Sequence, residues 1–156
     1  MLYYLQPPYF FYIPLTPVPN HPFKRGEPIT LYDYGPQPIT FDIEETTKSN
    51  NNFRLALWSG NNMQLTLMSL LPGESIGLER HPNTDQFIRI EQGKALVQMS
   101  DTQDLLNYRH EAEDDDAILI PAGKWHNITN IGNIPLKLYS LYAPPEHPHG
   151  TIQPRK

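Results

Sequence analysis

Apolar and polar residues alternate from residue 53 onward, with the period of two that is typical of half-buried β-strands. Phe53, Leu55 and Leu57 share one face of the first predicted strand. Turn-forming pairs such as Pro72-Gly73 separate the segments that follow. The later predicted strands span residues 63–67, 75–81, 86–91, 95–99, 105–110, 117–121, 125–130 and 134–142. About nine short strands at intervals of roughly 8–12 residues predict an all-β sandwich or barrel.

One short helix is predicted before the strands, over residues 42–48. Thr40 or Asp42 supplies its N-cap, and Glu44 and Glu45 fall in the first turn, where the helix dipole favours negative charge. A run of asparagines that starts at residue 50 ends the helix.

Residues 1–40 differ in composition from the rest of the chain. They contain nine prolines and nine aromatic residues. Proline favours extended backbone, and a disordered tail seldom carries so many aromatic rings. We therefore predict an extended arm over residues 1–40, packed on the barrel or on a partner subunit, with a disordered, adhesive tail as the alternative. A chain of 156 residues suits one domain, so residues 41–156 form the single predicted domain.

Composition and charge exclude several classes of function. The formal net charge is −5 and no dense cluster of Lys and Arg occurs, so a nucleic-acid partner is not expected. The chain has no cysteine, which rules out disulfides and thiolate ligands. No stretch approaches the roughly 20 apolar residues of a membrane helix, and the first residues lack the basic start of a signal peptide. We expect a soluble cytoplasmic protein without membrane contact.

Two spaced motifs carry the candidate chemistry. The first reads Gly73-x5-Glu79-x-His81-x4-Gln86-x6-Gly93, and the second reads Pro121-x-Gly123-x2-His126-x3-Asn130. Together they resemble the paired motifs of the cupin superfamily, and the resemblance covers residues 53–145. Three positions depart from the usual pattern. Glu79 replaces a histidine, Gln86 replaces a glutamate, and Asp115 replaces the glycine that opens the second motif.

The resemblance implies a cupin-type double-stranded β-helix, a jelly-roll barrel, that forms a homodimer. It also implies a divalent metal bound by Glu79, His81, Gln86 and His126. A carboxylate, two imidazoles and an amide oxygen suit Mn²⁺, Fe²⁺, Ni²⁺ or Zn²⁺. If Glu79 does not bind the metal, it is the predicted catalytic base. The alternative is a metal-free pocket in which Glu79 and Gln86 hydrogen-bond each other.

Strand periodicity also assigns side chains to faces of the barrel. It places Glu79 and His81 on one face, and it points Gln86 inward from the next strand. Arg80 and Arg89 then point away from the metal, and we interpret Arg89 as a salt-bridging surface or interface residue.

Two further histidines, His147 and His149, follow the last predicted strand in a proline-rich segment. We interpret them as part of an ordered tail packed outside the barrel. The alternative is a lid that brings an imidazole to the mouth of the pocket.

The resemblance names a fold without selecting a reaction. The favoured hypothesis is an enzyme, an isomerase or dioxygenase, that uses the metal as a Lewis acid on a small oxygen-rich substrate, either sugar-like or an enol or dicarbonyl. The other is a non-catalytic cupin that serves as a ligand-binding, storage or coat and assembly protein. Mutation of His81 and His126 separates the two hypotheses. The enzyme should lose its metal, whereas a scaffold protein should change only modestly in stability.

Overall fold

The computed structural model describes residues 29–156, so residues 1–28 of the predicted arm lie outside the described residues. The described chain contains one α-helix, α1 (Ile43–Ser49), and ten strands. The strands are β1 (Arg54–Ser59), β2 (Gln64–Leu70), β3 (Glu79–Arg80), β4 (Asp85–Gln92), β5 (Lys94–Ser100), β6 (Tyr108–Glu113), β7 (Ala117–Ile120), β8 (Trp125–Asn130), β9 (Leu136–Ala143) and β10 (Ile152–Gln153). Within this part of the chain, no helix is long and apolar enough to cross a membrane.

The strands form two antiparallel sheets that pack face to face. A six-stranded sheet has the order β10-β1-β2-β9-β4-β7, and a four-stranded sheet has the order β3-β8-β5-β6. Several neighbours are distant along the chain, since β2 pairs with β9 and β5 pairs with β8. Two sheets linked by such crossings form a jelly roll. The predicted all-β jelly-roll barrel is therefore confirmed.

Side chains from both sheets meet in one apolar core. Ile88 and Ile90 reach it from β4, and Val97 and Ile128 reach it from the opposite sheet. Gln86 shares the inward face of β4 and is only 3% exposed. Burial of each large apolar side chain contributes about 1.5–3 kcal/mol to the free energy of folding. This apolar packing holds the two sheets together around the buried Gln86.

A second apolar cluster lies on the outer face of the six-stranded sheet. Leu55 of β1 and its cross-strand partner Leu67 of β2 are covered there by residues 29–43. The described part of the predicted arm, residues 29–40, thus packs on the barrel. The assignment of residues 1–40 to an arm remains a prediction.

The predicted helix is present with one of its two predicted caps. Helix α1 begins after Asp42, whose carboxylate accepts a hydrogen bond from the backbone N–H of Glu45 at 3.1 Å. Glu44 and Glu45 lie in the first turn, and Asn50 ends the helix. Because the cap satisfies an otherwise unpaired N–H, it is worth about 1 kcal/mol.

Three strand predictions differ from the structure. Phe53 packs in the inner core rather than with Leu55 on the outer face, because the pairing of β1 begins only at Arg54. Residues 75–81 form only the two-residue strand β3, since Gly77 has a φ of 97° that interrupts the extended backbone. Strand β10 was not predicted, because two residues show no alternation.

Residues of the two motifs occupy turns that need unusual backbone. Gly93 and Gly123 have φ angles of 97° and 83°, a region that glycine adopts without steric cost. Asp115 has a φ of 72° at the position where the motif usually has glycine, and it is the one non-glycine residue with positive φ among residues 29–156. Aspartate tolerates this region better than most residues, and its carboxylate forms an ion pair with Arg89.

Substitution of Asp115 tests whether its left-handed backbone carries strain. Asp115→Gly removes the steric cost, whereas Asp115→Ala keeps that cost and lacks the polar side chain that tolerates it. After the greater unfolded-state entropy of glycine is allowed for, the alanine variant should be less stable than the glycine variant by about 0.5–1 kcal/mol. Denaturant titration measures this difference, with Asp114→Ala as a control that should resemble the wild type. Equal midpoints for the two variants would mean that the position is unstrained.

Candidate metal centre

Two strands of the four-stranded sheet place the candidate ligands side by side. Glu79 on β3 is the direct cross-strand neighbour of His126 on β8. His81 follows β3 by one residue, and its backbone carbonyl accepts a hydrogen bond from the N–H of Gly123 at 2.8 Å. The turn of the second motif therefore holds the chain of the first motif at the site.

Three ligand atoms converge in the interior of the barrel. Oε1 of Glu79 lies 3.4 Å from Nε2 of His81 and 3.4 Å from Nε2 of His126. All three atoms lie within 4.8 Å of one another. His81 and His126 are buried, and Glu79 is partly buried. None of these three atoms has a hydrogen-bond partner in the described part of the chain.

Contacts on the far side of each imidazole set its orientation and tautomer. Nδ1 of His126 lies 3.0 Å from the backbone carbonyl oxygen of Lys124, which can only accept a hydrogen bond. Nδ1 of His81 lies 3.0 Å from a carboxylate oxygen of Glu146, and the other oxygen of Glu146 accepts from the Thr84 hydroxyl at 2.9 Å. Each Nδ1 therefore carries a proton, and each Nε2 of a neutral ring presents a lone pair to the centre.

The converging atoms fit a divalent transition metal. Two imidazole lone pairs and a carboxylate oxygen repel one another at this spacing unless a cation lies among them. Ligand atoms 3.4 Å apart suit an ion bound at about 2.0–2.2 Å. Mixed nitrogen and oxygen donors favour a first-row transition ion over a soft metal or an alkaline-earth ion.

The electrostatics of the same atoms show how closely they are coupled. Burial raises the pKa of Glu79, but the contacts with His126, His81 and the charged Arg54 outweigh burial and lower the pKa to about 2. Burial opposes protonation of His81, but contacts with Glu79 and Glu146 raise its pKa above the ordinary value. A proton on His81 therefore competes with a metal for the same Nε2, and metal binding must displace that proton.

Gln86 lies on the sheet opposite the three candidate ligands, with its side chain buried. It lies on β4, paired with Tyr142 on β9 and with Ile120 on β7. Its Nε2 donates to Oγ of Ser140 at 3.3 Å, which leaves Oε1 buried and without a hydrogen-bond partner among residues 29–156. The amide is engaged with Ser140 rather than Glu79, so the predicted direct pair of Glu79 and Gln86 is not found. The free amide oxygen suits a fourth metal ligand, and that role remains a prediction.

Two residues that the sequence did not indicate contact the candidate ligands. Nη2 of Arg54, on β1, lies 3.7 Å from Oε2 of Glu79. Tyr142 contacts His81 edge to face, with ring centres 5.6 Å apart, and burial raises the pKa of Tyr142 to about 12. The alternation gave no signal for Arg54, because it grouped Phe53, Leu55 and Leu57 on the apolar face and so placed Arg54 on the opposite one.

The segment after β9 adds a histidine beside these residues. Gln64 holds the segment, because its Oε1 accepts from the N–H of His147 at 2.9 Å and its Nε2 donates to the carbonyl of His147 at 2.9 Å. The His147 ring packs edge to face on Tyr142 at 5.0 Å. Burial, aided by the charge of Arg54, lowers the pKa of His147 to about 4. The predicted outside position is wrong for His147 and confirmed for His149, which is exposed and contacts the carbonyl of residue 35.

Two arginines near the ligands in sequence point away from them, as predicted. Arg80 is exposed on β3. Arg89 contacts Glu91 at 3.1 Å and also forms an ion pair with Asp115. These contacts partly neutralise a second group of carboxylates, formed by Glu91, Asp114 and Asp115, on the outside of the barrel.

Comparison with known proteins identifies the family. Residues 66–142 match the Cupin domain family. The chain is 57% identical over 128 residues to protein YrkC of Bacillus subtilis, an alignment that covers 82% of this chain and 69% of YrkC. The protein belongs to the cupin superfamily.

A solved structure and a viral protein extend the comparison. The crystal structure of BH2720 from Bacillus halodurans superposes with a TM-score of 0.79 at 58% identity and covers 80% of this chain and 95% of that chain. Protein L612 of Acanthamoeba polyphaga mimivirus is 40% identical over 121 residues, which is 77% of this chain and 74% of L612. These similarities show the family and the fold.

His147→Gln should weaken the pH dependence of stability. In the wild type the pKa of His147 falls from 6.5 in the unfolded chain to about 4 in the folded one, so protons bind the unfolded chain more tightly. The free energy of unfolding should therefore fall as the pH drops from 6.5 towards 4. Denaturant titrations of chelator-treated protein at several pH values measure the slope. His149→Gln should keep the wild-type slope, and an unchanged slope in His147→Gln would contradict a buried neutral imidazole.

Proposed function

We propose that this protein is a metal-dependent enzyme that acts on a small oxygen-rich substrate at the centre formed by Glu79, His81 and His126. The main support for this proposal is that three buried atoms with free lone pairs, one carboxylate oxygen and two imidazole nitrogens, converge at the centre. Buried polar atoms in a purely structural site are normally hydrogen-bonded. Here the carbonyl of Lys124 and the carboxylate of Glu146 engage only the outer nitrogens and leave both inner nitrogens free.

A divalent ion held by these residues would supply Lewis-acid polarisation of a substrate oxygen. Gln86 offers an amide oxygen where cupins usually have a carboxylate. Because a neutral amide donates less electron density, Gln86 lowers affinity for the ion but leaves more positive charge to act on the substrate. Mn²⁺, Fe²⁺, Ni²⁺ and Zn²⁺ all suit this donor set.

The geometry supports Glu79 as a ligand rather than as a catalytic base. Its Oε1 faces both imidazoles, and its Oε2 faces Arg54. His147 is neutral above about pH 4, and its Nε2 is buried without a hydrogen-bond partner among the described residues. We therefore assign proton acceptance to Nε2 of His147. A proton acceptor beside a Lewis-acid centre favours isomerisation through an enol over cleavage by oxygen.

A homodimer and a cytoplasmic location remain predictions. An apolar row crosses the outer sheet face from Leu141 through Phe87 to Leu119, which is 73% exposed. Such an exposed row supports contact with a second copy of the chain. It is also the observation that favours the alternative function, a non-catalytic coat or assembly protein.

The metal content of the protein tests the proposed function. Protein purified without chelator should hold about one Mn, Fe, Ni or Zn per chain, measured by ICP mass spectrometry. His126→Ala should lower the metal affinity at least about tenfold, because it removes a ligand whose partner contacts are already in place. His110→Ala, at an exposed position on β6, should keep the metal. A wild type that stays metal-free after reconstitution with each of the four ions would overturn the proposal.

Gln86→Glu should restore the carboxylate usual in cupins and raise metal affinity by about tenfold or more. The Ser140 hydroxyl, which now accepts from the amide, can donate to the new carboxylate instead. Competition with a chromophoric chelator measures the affinity. Gln98→Glu adds the same charge on β5 outside the ligand set and serves as the control. If both variants bind metal like the wild type, Gln86 lies outside the ligand shell.

A further inference from the structure

Arg54 carries two buried donors that the described structure does not use. The residue is 8% exposed, and its Nη1 donates to Oε1 of Gln153 at 3.3 Å. Its Nε and Nη2 are buried and have no hydrogen-bond partner within residues 29–156. The contact of Nη2 with Glu79, at 3.7 Å, is too long for a hydrogen bond. Unpaired guanidinium donors in an interior are costly, so these two indicate a missing anionic ligand.

Strand β1 directs Arg54 into the barrel. Arg54 lies opposite Met68 across the pair of β1 and β2, and Met68 belongs to the inner core. The next residue, Leu55, lies in the outer cluster. Arginine is rarely fully buried unless it is paired with a charge, so its inward position calls for a ligand that Glu79 alone does not provide.

The Glu79 carboxylate contacts both Arg54 and the metal centre. One of its oxygens faces Nη2 of Arg54, and the other faces Nε2 of both His81 and His126. Arg54 and the centre therefore both contact one carboxylate, so a ligand whose own carboxylate binds Arg54 can place an oxygen of its adjacent carbon at the centre.

The charges around the cavity favour an anion. Arg54 and a divalent ion contribute three positive charges, whereas Glu79 and Glu146 contribute two negative charges. The rings of His147 and Tyr142 pack edge to face beside these groups. A single negative charge on the ligand balances the site, and a buried site near neutrality avoids the desolvation cost of an uncompensated charge.

We infer that the cavity binds a small carboxylate with a second oxygen on the adjacent carbon, a 2-hydroxy or 2-oxo acid. Nε and Nη2 lie on one edge of the Arg54 guanidinium, and such an edge donates two parallel hydrogen bonds to a carboxylate. The neighbouring oxygen of the acid faces the centre of Glu79, His81 and His126. The inference rests on the proposed function, because that second oxygen needs the metal.

Binding of matched charged and uncharged probes tests the inference. The full chain is loaded with Co²⁺, and the visible absorption of the ion is followed during titration with L-lactate and pyruvate. The methyl esters, methyl L-lactate and methyl pyruvate, have the same oxygens without the negative charge. At least one acid should bind about tenfold or more tightly than its uncharged counterpart, since charge-assisted hydrogen bonds are stronger than neutral ones.

Variants of two arginines test whether Arg54 causes the preference for the charged acid over the uncharged probe. Arg54→Gln should weaken binding of the acid about 10- to 100-fold and leave binding of the uncharged probe nearly unchanged. Arg80→Gln removes the same charge at an exposed position of β3 and should behave like the wild type. Arg54→Lys keeps the charge but loses the paired donors, so it should fall between the wild type and Arg54→Gln.

The outcomes separate this inference from the proposed function. Bound Co²⁺ with no preference for either acid in the wild type would overturn the inference alone. A preference that survives in Arg54→Gln, with Co²⁺ content unchanged, would also overturn it. Failure of the wild type to bind Co²⁺ would overturn the metal site, and the inference with it. If Arg54→Gln does not fold, the inference is tested by the comparison of charged and uncharged probes in the wild type and by weaker acid binding in Arg54→Lys.

Discussion

Repulsion among three lone-pair atoms is the constraint on which the site depends. Oε1 of Glu79 and Nε2 of His81 and His126 meet inside the barrel with no donor between them in the described structure. Either protons or a cation must offset that repulsion, and a cation does so without charging the imidazoles. The surrounding contacts, from the carbonyl of Lys124 to the carboxylate of Glu146, keep the lone pairs aimed at one point.

The jelly-roll topology brings distant parts of the chain to that point. Strands β3 and β8 supply the three converging atoms from one sheet, and β1 and β4 supply Arg54 and Gln86 from the other. The segment after β9 then adds His147, which Gln64 holds through two backbone hydrogen bonds. Because these contacts join different strands, the precision of the site depends on the packing of the whole barrel.

Local patterns in the sequence predicted much of this arrangement. Alternation predicted the barrel and the inward position of Gln86, and the resemblance to the paired cupin motifs predicted that Glu79, His81 and His126 meet. The short length of β3 was not predicted, because the backbone angle of one glycine interrupts a regular-looking segment. The place of His147 was missed, because proline-rich sequence has no periodicity from which a direction follows.

The sequence by itself determined the fold class and the helix with its cap, since these follow from short-range periodicity and capping, and its resemblance to the cupin motifs predicted the residues that meet at the candidate centre. Only the tertiary structure decided which nitrogen of each histidine faces inward, that Arg54 keeps two free donors, and that His147 enters the cavity. The physical reason is that hydrogen-bond partners and burial depend on contacts between strands far apart in the chain. Such contacts exist only once the two sheets have packed together.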